Sequence, residues 1–115
     1  MSVKLTTREV NDIVIIDLSG RLTMGEACAA VRDELRDQID HGVRKLLFNL
    51  ADVSYIDSAG LGELTAAYTS VRNRGGALKL LNLTKRVQDL MQITKLYTIF
   101  DIYDNEKQAF ASFAS

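Results

Sequence analysis

Short apolar runs alternate with stretches of helical spacing along this chain, and that alternation restricts the possible fold more than any single residue does. Ile13 to Leu18 (IVIIDL), Lys45 to Leu50 (KLLFNL) and Ala77 to Asn82 (ALKLLN) are rich in β-branched residues or leucine and too short to be helices. They read as strands, the first of the kind that is buried on both faces. Between them Cys28, Val31, Leu35 and Ile39 recur at helical intervals, and Leu61, Leu64, Tyr68 and Val71 do so again. Gly42 and the pair Gly75-Gly76 close these two helices. Strand, helix and strand in repeated order make parallel crossovers, so the fold class is α/β.

The ends of the chain extend the pattern. Val3 to Val10 and IVIIDL flank Asn11-Asp12, which predicts a hairpin. Thr23 and Glu26 have the spacing of a capping box, which predicts a first helix over about 24 to 41. Residues Asp52 to Asp57 are expected to leave the strand KLLFNL. Thr84 is placed to cap a third helix carrying Val87, Leu90 and Met91; Ile99 to Tyr103 (IFDIY) reads as a last strand, and Asp104 as the cap of a terminal helix through Phe110 and Phe113. If each strand adds beside its predecessor, the right-handed rule puts every crossover helix on one side of the sheet. The expected architecture is a single domain, 1–115, with a mixed, mostly parallel β-sheet, an N-terminal β-hairpin and superhelical β-α crossovers.

Composition removes several function classes. The 115 residues include 14 basic and 15 acidic side chains, so no net field draws nucleic acid to the chain. One cysteine and one histidine rule out an internal disulfide and a cysteine-built zinc site, and neither a metal nor another cofactor is expected. Cys28 falls on the inward stripe of the first helix, as a small core hydrophobe does. The N-terminus MSVKLTTREVND lacks the apolar core of a signal peptide, and no apolar run approaches the ~20 residues of a membrane span. These features lead us to expect a soluble, cytoplasmic protein.

The segment YIDSAGLG, residues 55 to 62, carries the chemistry. It follows a strand and opens the helix of Leu61 and Leu64, so Ser58 lies at the carboxyl end of a strand and the amino end of a helix, the edge of an α/β sheet that favours ligand chemistry. The helix dipole and the first turn's N–H groups there favour negative charge, including that of a phosphate. Gly60 and Gly62 keep the surroundings small enough for another backbone to approach. Asp57 and Ser58 are equally ordinary helix caps, and local chemistry leaves the two readings open. A hydrolase is disfavoured, because the nucleophile elbow needs glycine where Ile56 stands, and the single base, His41, falls beside Gly42 at the end of the first helix. The glycines also lack the Gly-Lys-Ser/Thr of a P-loop. Arg72 and Arg74, with Lys85 and Arg86, read as solvated faces; the first pair ends the helix that Ser58 begins and is placed to meet an acidic partner.

The order of hairpin, Gly20-x-Leu22, helix and KLLFNLADVSYIDSAGLGEL, with NRGG at 73 to 76 closing the next helix, resembles the anti-sigma-factor antagonists of the sulphate-transporter and anti-sigma-factor antagonist (STAS) domain family. The likeness spans nearly the whole chain and is most specific at Asp57-Ser58-x-Gly60-Leu61-Gly62. It implies a STAS fold and a non-enzymatic regulator. In such proteins the serine matching Ser58 is phosphorylated by a partner that is both an anti-sigma factor and a serine kinase of the histidine-kinase-like ATPase fold. The unmodified antagonist binds that partner and frees the sigma factor, phosphorylation releases the partner, and a serine phosphatase resets the switch. The resemblance assigns partner binding to Thr23, Asp57, Ser58, Ala59, Gly60, Leu61 and Gly62, with Ser58 the acceptor, in a monomer or weak dimer. Two positions depart from the pattern: Ala59 replaces a second serine, leaving a single acceptor, and Thr23 stands where many members carry an acidic residue that docks the kinase. Two rival functions are a STAS scaffold or subunit of a stress-signalling or lipid-transport complex, and a small-ligand or anion-binding domain with its pocket at the helix terminus.

Overall fold

The computed structural model describes residues 3–114. Strands β1 (Val3–Val10) and β2 (Ile13–Leu22) form the antiparallel hairpin, with Val10 opposite Ile13 across Asn11-Asp12. Asn11 takes φ 58°, a left-handed conformation that asparagine tolerates better than most residues. Helix α1 (Glu26–Asp40), β3 (Lys45–Ile56), α2 (Ser58–Asn73), β4 (Ala77–Leu81) and α3 (Lys85–Thr94) follow. A 3₁₀ turn at Leu96–Thr98, β5 (Ile102–Tyr103) and α4 (Glu106–Ser112) complete the described chain. The sheet order is β1-β2-β3-β4-β5, parallel except for the hairpin pair, so each strand does add beside its predecessor.

Alternation along the strands sorts the core into two layers. Val14, Ile16 and Leu18 of β2, Leu46, Phe48 and Leu50 of β3, and Leu78 and Leu80 of β4 join one cluster with the inward residues of α1, α2 and α3. The three crossovers therefore share a face, as the winding rule predicts. Ile13, Ile15, Leu47 and Leu81 point the other way, where α4 covers them with Ala109 and Phe113. Burial on both faces explains why IVIIDL and KLLFNL carry almost no polar residues.

Several boundaries differ from the sequence expectation, each for a local reason. Thr23 does not cap α1: the N-cap is Gly25 at φ 98°, without a side-chain bond, and the helix begins at Glu26. β2 runs four residues past Leu18, because Gly20, at φ 104°, is absorbed among register shifts between β2 and β3 instead of ending the strand. β3 likewise continues to Ile56. β4 pairs with β3 only over Lys45 to Asn49, while β1 flanks β2 as far as Gly20, so among the described residues β2 and β3 end as a two-stranded ribbon at Arg21-Leu22 and Tyr55-Ile56. The last strand shrinks to Ile102 and Tyr103, the residues that pair with Leu80 and Leu81. Phe100 turns inward instead, edge-on to Tyr68 of α2 with ring centroids 5.4 Å apart. Thr84 caps α3 by accepting the Val87 N–H, but α4 is capped by Asn105, which accepts the Gln108 N–H at 2.8 Å, not by Asp104.

Phe48 is fully buried at the centre of the larger layer. Phe48→Ala should lower the unfolding free energy by about 3–5 kcal/mol, read from the urea midpoint with an unchanged slope.

Candidate functional site

The β2–β3 ribbon delivers Asp57 and Ser58 to the start of α2. Asp57 is the N-cap, with Oδ1 accepting the Gly60 N–H at 2.8 Å. Its Oδ2 accepts the Met24 N–H at 3.0 Å, so one carboxylate ties the β2–α1 loop to the first turn of α2. The Asp57 N–H in turn donates to the Leu22 carbonyl at 3.3 Å. These donors, the Met24 N–H first and the Gly60 N–H second, hold the Asp57 carboxyl below its ordinary pKa.

With the cap assigned to Asp57, Ser58 is the first residue of α2, exposed, at the positive end of a 16-residue helix. No hydrogen bond within the described residues engages its hydroxyl, so the cap reading of Ser58 has no geometric support. Ala59 is half-buried behind it and Gly62 is exposed. Gly60 and Leu61 are buried beneath this turn. A Cβ on Gly60 would run into the Leu22 carbonyl oxygen and come within 2.8 Å of Ile56 Cγ1, so only glycine lets α2 approach the ribbon this closely. Gly62 has open space where its Cβ would be. Thr23 is half-buried in the loop that Asp57 fastens, and beside it Met24 leaves a large apolar side chain 77% exposed. Sequence reasoning passed over Met24, because an isolated methionine carries no pattern.

Other sequence candidates lie elsewhere. His41 stands before β3 begins and Ser58 after it ends; a 12-residue strand separates them, at about 3.3 Å per residue. The two cannot form a nucleophile–base pair. The His41 Nδ1 sits 2.7 Å from the Asp37 carbonyl oxygen, and this contact together with the Asp37 carboxylate raises the imidazole pKa. Cys28 is buried in the core as expected, and burial pushes its thiol up. A recess of roughly 560 Å³ runs along α1 and α2, away from the start of α2; the Arg32–Glu63 ion pair at 2.7 Å lies in its wall. No group of acidic, histidine and cysteine side chains among the described residues could hold a metal ion, and no described helix is long and apolar enough to cross a membrane.

The STAS domain model matches residues 4–109. The chain belongs to the STAS domain family. An anti-sigma-B factor antagonist of Bacillus subtilis is 32% identical over 102 residues, covering 89% of this chain and 92% of its own. A Thermotoga maritima structure, provisionally described as an anti-sigma factor antagonist, superposes with a TM-score of 0.89 at 26% identity, over 96% of this STAS chain and 95% of that one. The Bacillus cell fate determinant SpoIIAA in its phosphorylated form shares the fold, with a TM-score of 0.74 at 22% identity over 95% and 98% of the two chains. The relatives named as anti-sigma factor antagonists are regulators by that description, and the STAS architecture expected from the sequence is the one observed.

The two glycines of the site should respond in opposite directions. Gly62→Ala should stabilise the domain by about 0.5–1 kcal/mol, the ordinary gain of alanine over glycine inside a helix. Gly60→Ala should destabilise it by ~1–3 kcal/mol, through the forced shift of α2 from Leu22. Equilibrium urea unfolding of both variants checks the pair. The Asp57 carboxyl titrates below its unfolded value, so its bonds contribute fully above the unfolded pKa and are lost as pH falls through the folded one. Asp57→Asn should therefore make the acid limb of a melting-temperature series shallower, while leaving its neutral region without added pH dependence.

Proposed function

We propose that this chain is an anti-sigma factor antagonist that acts in the cytoplasm as a non-enzymatic phosphoswitch, with Ser58 as the single acceptor. In its unmodified form it binds an anti-sigma factor that is also a serine kinase of the histidine-kinase-like ATPase fold, and so frees the sigma factor. Phosphate on Ser58 dissociates the pair, and a serine phosphatase restores binding. The observation that carries this reading is the division of labour at the start of α2: Asp57 caps the helix with Oδ1 and holds the β2–α1 loop with Oδ2, which leaves the Ser58 hydroxyl exposed and unengaged. Membership of the STAS family and the phosphorylated form of SpoIIAA support it.

The physics of such a switch is local. A phosphate on Ser58 would face the positive end of α2, which lowers the cost of carrying it in the free protein. Within a packed interface the same group brings close to two negative charges beside the ionised Asp57, so repulsion and desolvation both oppose the complex. The docking surface is formed by Ser58, the exposed Gly62, the half-buried Ala59 and the Thr23–Met24 loop that Asp57 fastens. Gly60 and Leu61 act from beneath, by setting how closely α2 approaches the ribbon. The change needs no refolding, because a few kcal/mol in binding already alters affinity by about a hundredfold.

Incubation with ATP, magnesium and the candidate anti-sigma factor kinase encoded nearest the gene should add one phosphate to the parent chain and none to Ser58→Ala, by intact-mass spectrometry. Ser58→Ala should still bind the unloaded partner. Ser58→Glu, a partial mimic, should bind it at least about tenfold more weakly with an unchanged melting temperature. Equal binding by all three forms would overturn the switch.

A further inference from the structure

Two arginines at the same end of the molecule converge on one aromatic ring. Arg21, near the end of β2, and Arg86, in the first turn of α3, each place the guanidinium carbon 4.6 Å from the ring centroid of Tyr55. Tyr55 stands opposite Arg21 in the β2–β3 register and three residues before Ser58. The neighbouring Leu22 carbonyl is the one that accepts the Asp57 N–H, so the stack and the Ser58 site share the end of the ribbon.

The stack is poorly explained by stability. Arg8, Arg32 and Arg36 each reach a carboxylate, and Arg44 bonds the main-chain carbonyls of Ile39 and Val43. Arg21 and Arg86 are exposed and, among the described residues, engage no carboxylate or carbonyl; the Tyr55 ring is what they hold. Arg86 moreover stands at the positive end of α3, whose first turn contains no acidic residue. A cation there opposes the helix dipole. Stacking uses the flat face of a guanidinium and leaves its in-plane N–H donors pointing outward, where they match a carboxylate in a two-pronged bond. Tyr55 thus holds two guanidinium groups over one ring, and among the described residues neither has a counter-ion.

We propose that Arg21, Tyr55 and Arg86 form a cationic anchor for a carboxylate-bearing segment of the anti-sigma factor. The anchor extends the docking surface from Ser58 toward α3, and its complement on the partner is acidic. It rests on the antagonist reading above. The sequence reading offered Arg72 and Arg74 to an acidic partner; the stack assigns that contact to Arg21 and Arg86. Because the overall charge is close to neutral, the local pair and not a general field selects the partner.

The test is a binding titration of the full chain against the anti-sigma factor encoded nearest its gene, at about 50 mM and about 300 mM salt. Arg21→Glu and Arg86→Glu should each weaken binding by about tenfold at low salt and flatten its salt dependence. Arg72→Glu should leave both within about twofold. Arg21→Lys keeps the charge but not the fork, and should fall between the parent and Arg21→Glu. Circular dichroism melting confirms that each variant is folded. Binding by the parent that Arg21→Glu and Arg86→Glu retain at both salt concentrations would overturn the anchor alone. Absence of binding by the parent would overturn the antagonist reading and the anchor with it.

Discussion

The Asp57 carboxylate accepts the Gly60 N–H at 2.8 Å and the Met24 N–H at 3.0 Å, and so joins two segments more than thirty residues apart at the point where both leave the sheet. Without that tie the start of α2 and the β2–α1 loop are separate chain ends on a two-stranded ribbon. With it they form one surface. Gly60 completes the joint by allowing α2 to lie against the Leu22 carbonyl, an approach that a single methyl group would prevent. A shared acceptor and a missing side chain thus determine where Ser58 stands relative to Thr23 and Met24.

Support for this joint comes from the layering of the sheet. Three crossover helices on one face and α4 on the other bury β2 and β3 from both sides, which keeps the ribbon's base rigid. Past the reach of β4, β3 carries exposed polar residues such as Asp52 and Ser54. The carboxyl end of parallel strands is where open α/β sheets place ligand chemistry, and the proposed site stands there. His41 lies at the opposite end, which is a topological reason, independent of any motif, for the separation of the two candidate groups.

Electrostatics divides that end of the molecule into complementary parts. Asp57 is a carboxyl held below its ordinary pKa by main-chain donors, whereas Arg21 and Arg86 lie over the Tyr55 ring and reach no carboxylate among the described residues. Under the proposed switch, charge added to the Ser58 hydroxyl would change the surface presented to a partner without disturbing the core, because Ser58 itself is exposed and its neighbour holds the cap.

The sequence by itself determined the alternation of elements, the hairpin, the sorting of the core and the position of Ser58 at a strand-to-helix junction. Each of these follows from hydrophobic period and turn chemistry, which act over a few neighbouring residues. Local chemistry did not decide which of two adjacent polar residues caps a helix. Asp57 rather than Ser58, and Asn105 rather than Asp104, take the extended backbone of the N-cap and accept the N–H three residues on. Thr23 and Glu26 had capping-box spacing, but the loop is bound to Asp57 through Met24, and α1 begins at Glu26 with Gly25 as its N-cap. The strand read as ending at Leu18 runs on to Leu22, with Gly20 among the register shifts where β3 lies beside it. The stack of Arg21 and Arg86 on Tyr55 joins three different elements, so no window of the sequence contains it. Tertiary structure decided these features because each depends on a contact between residues that only the completed sheet brings together.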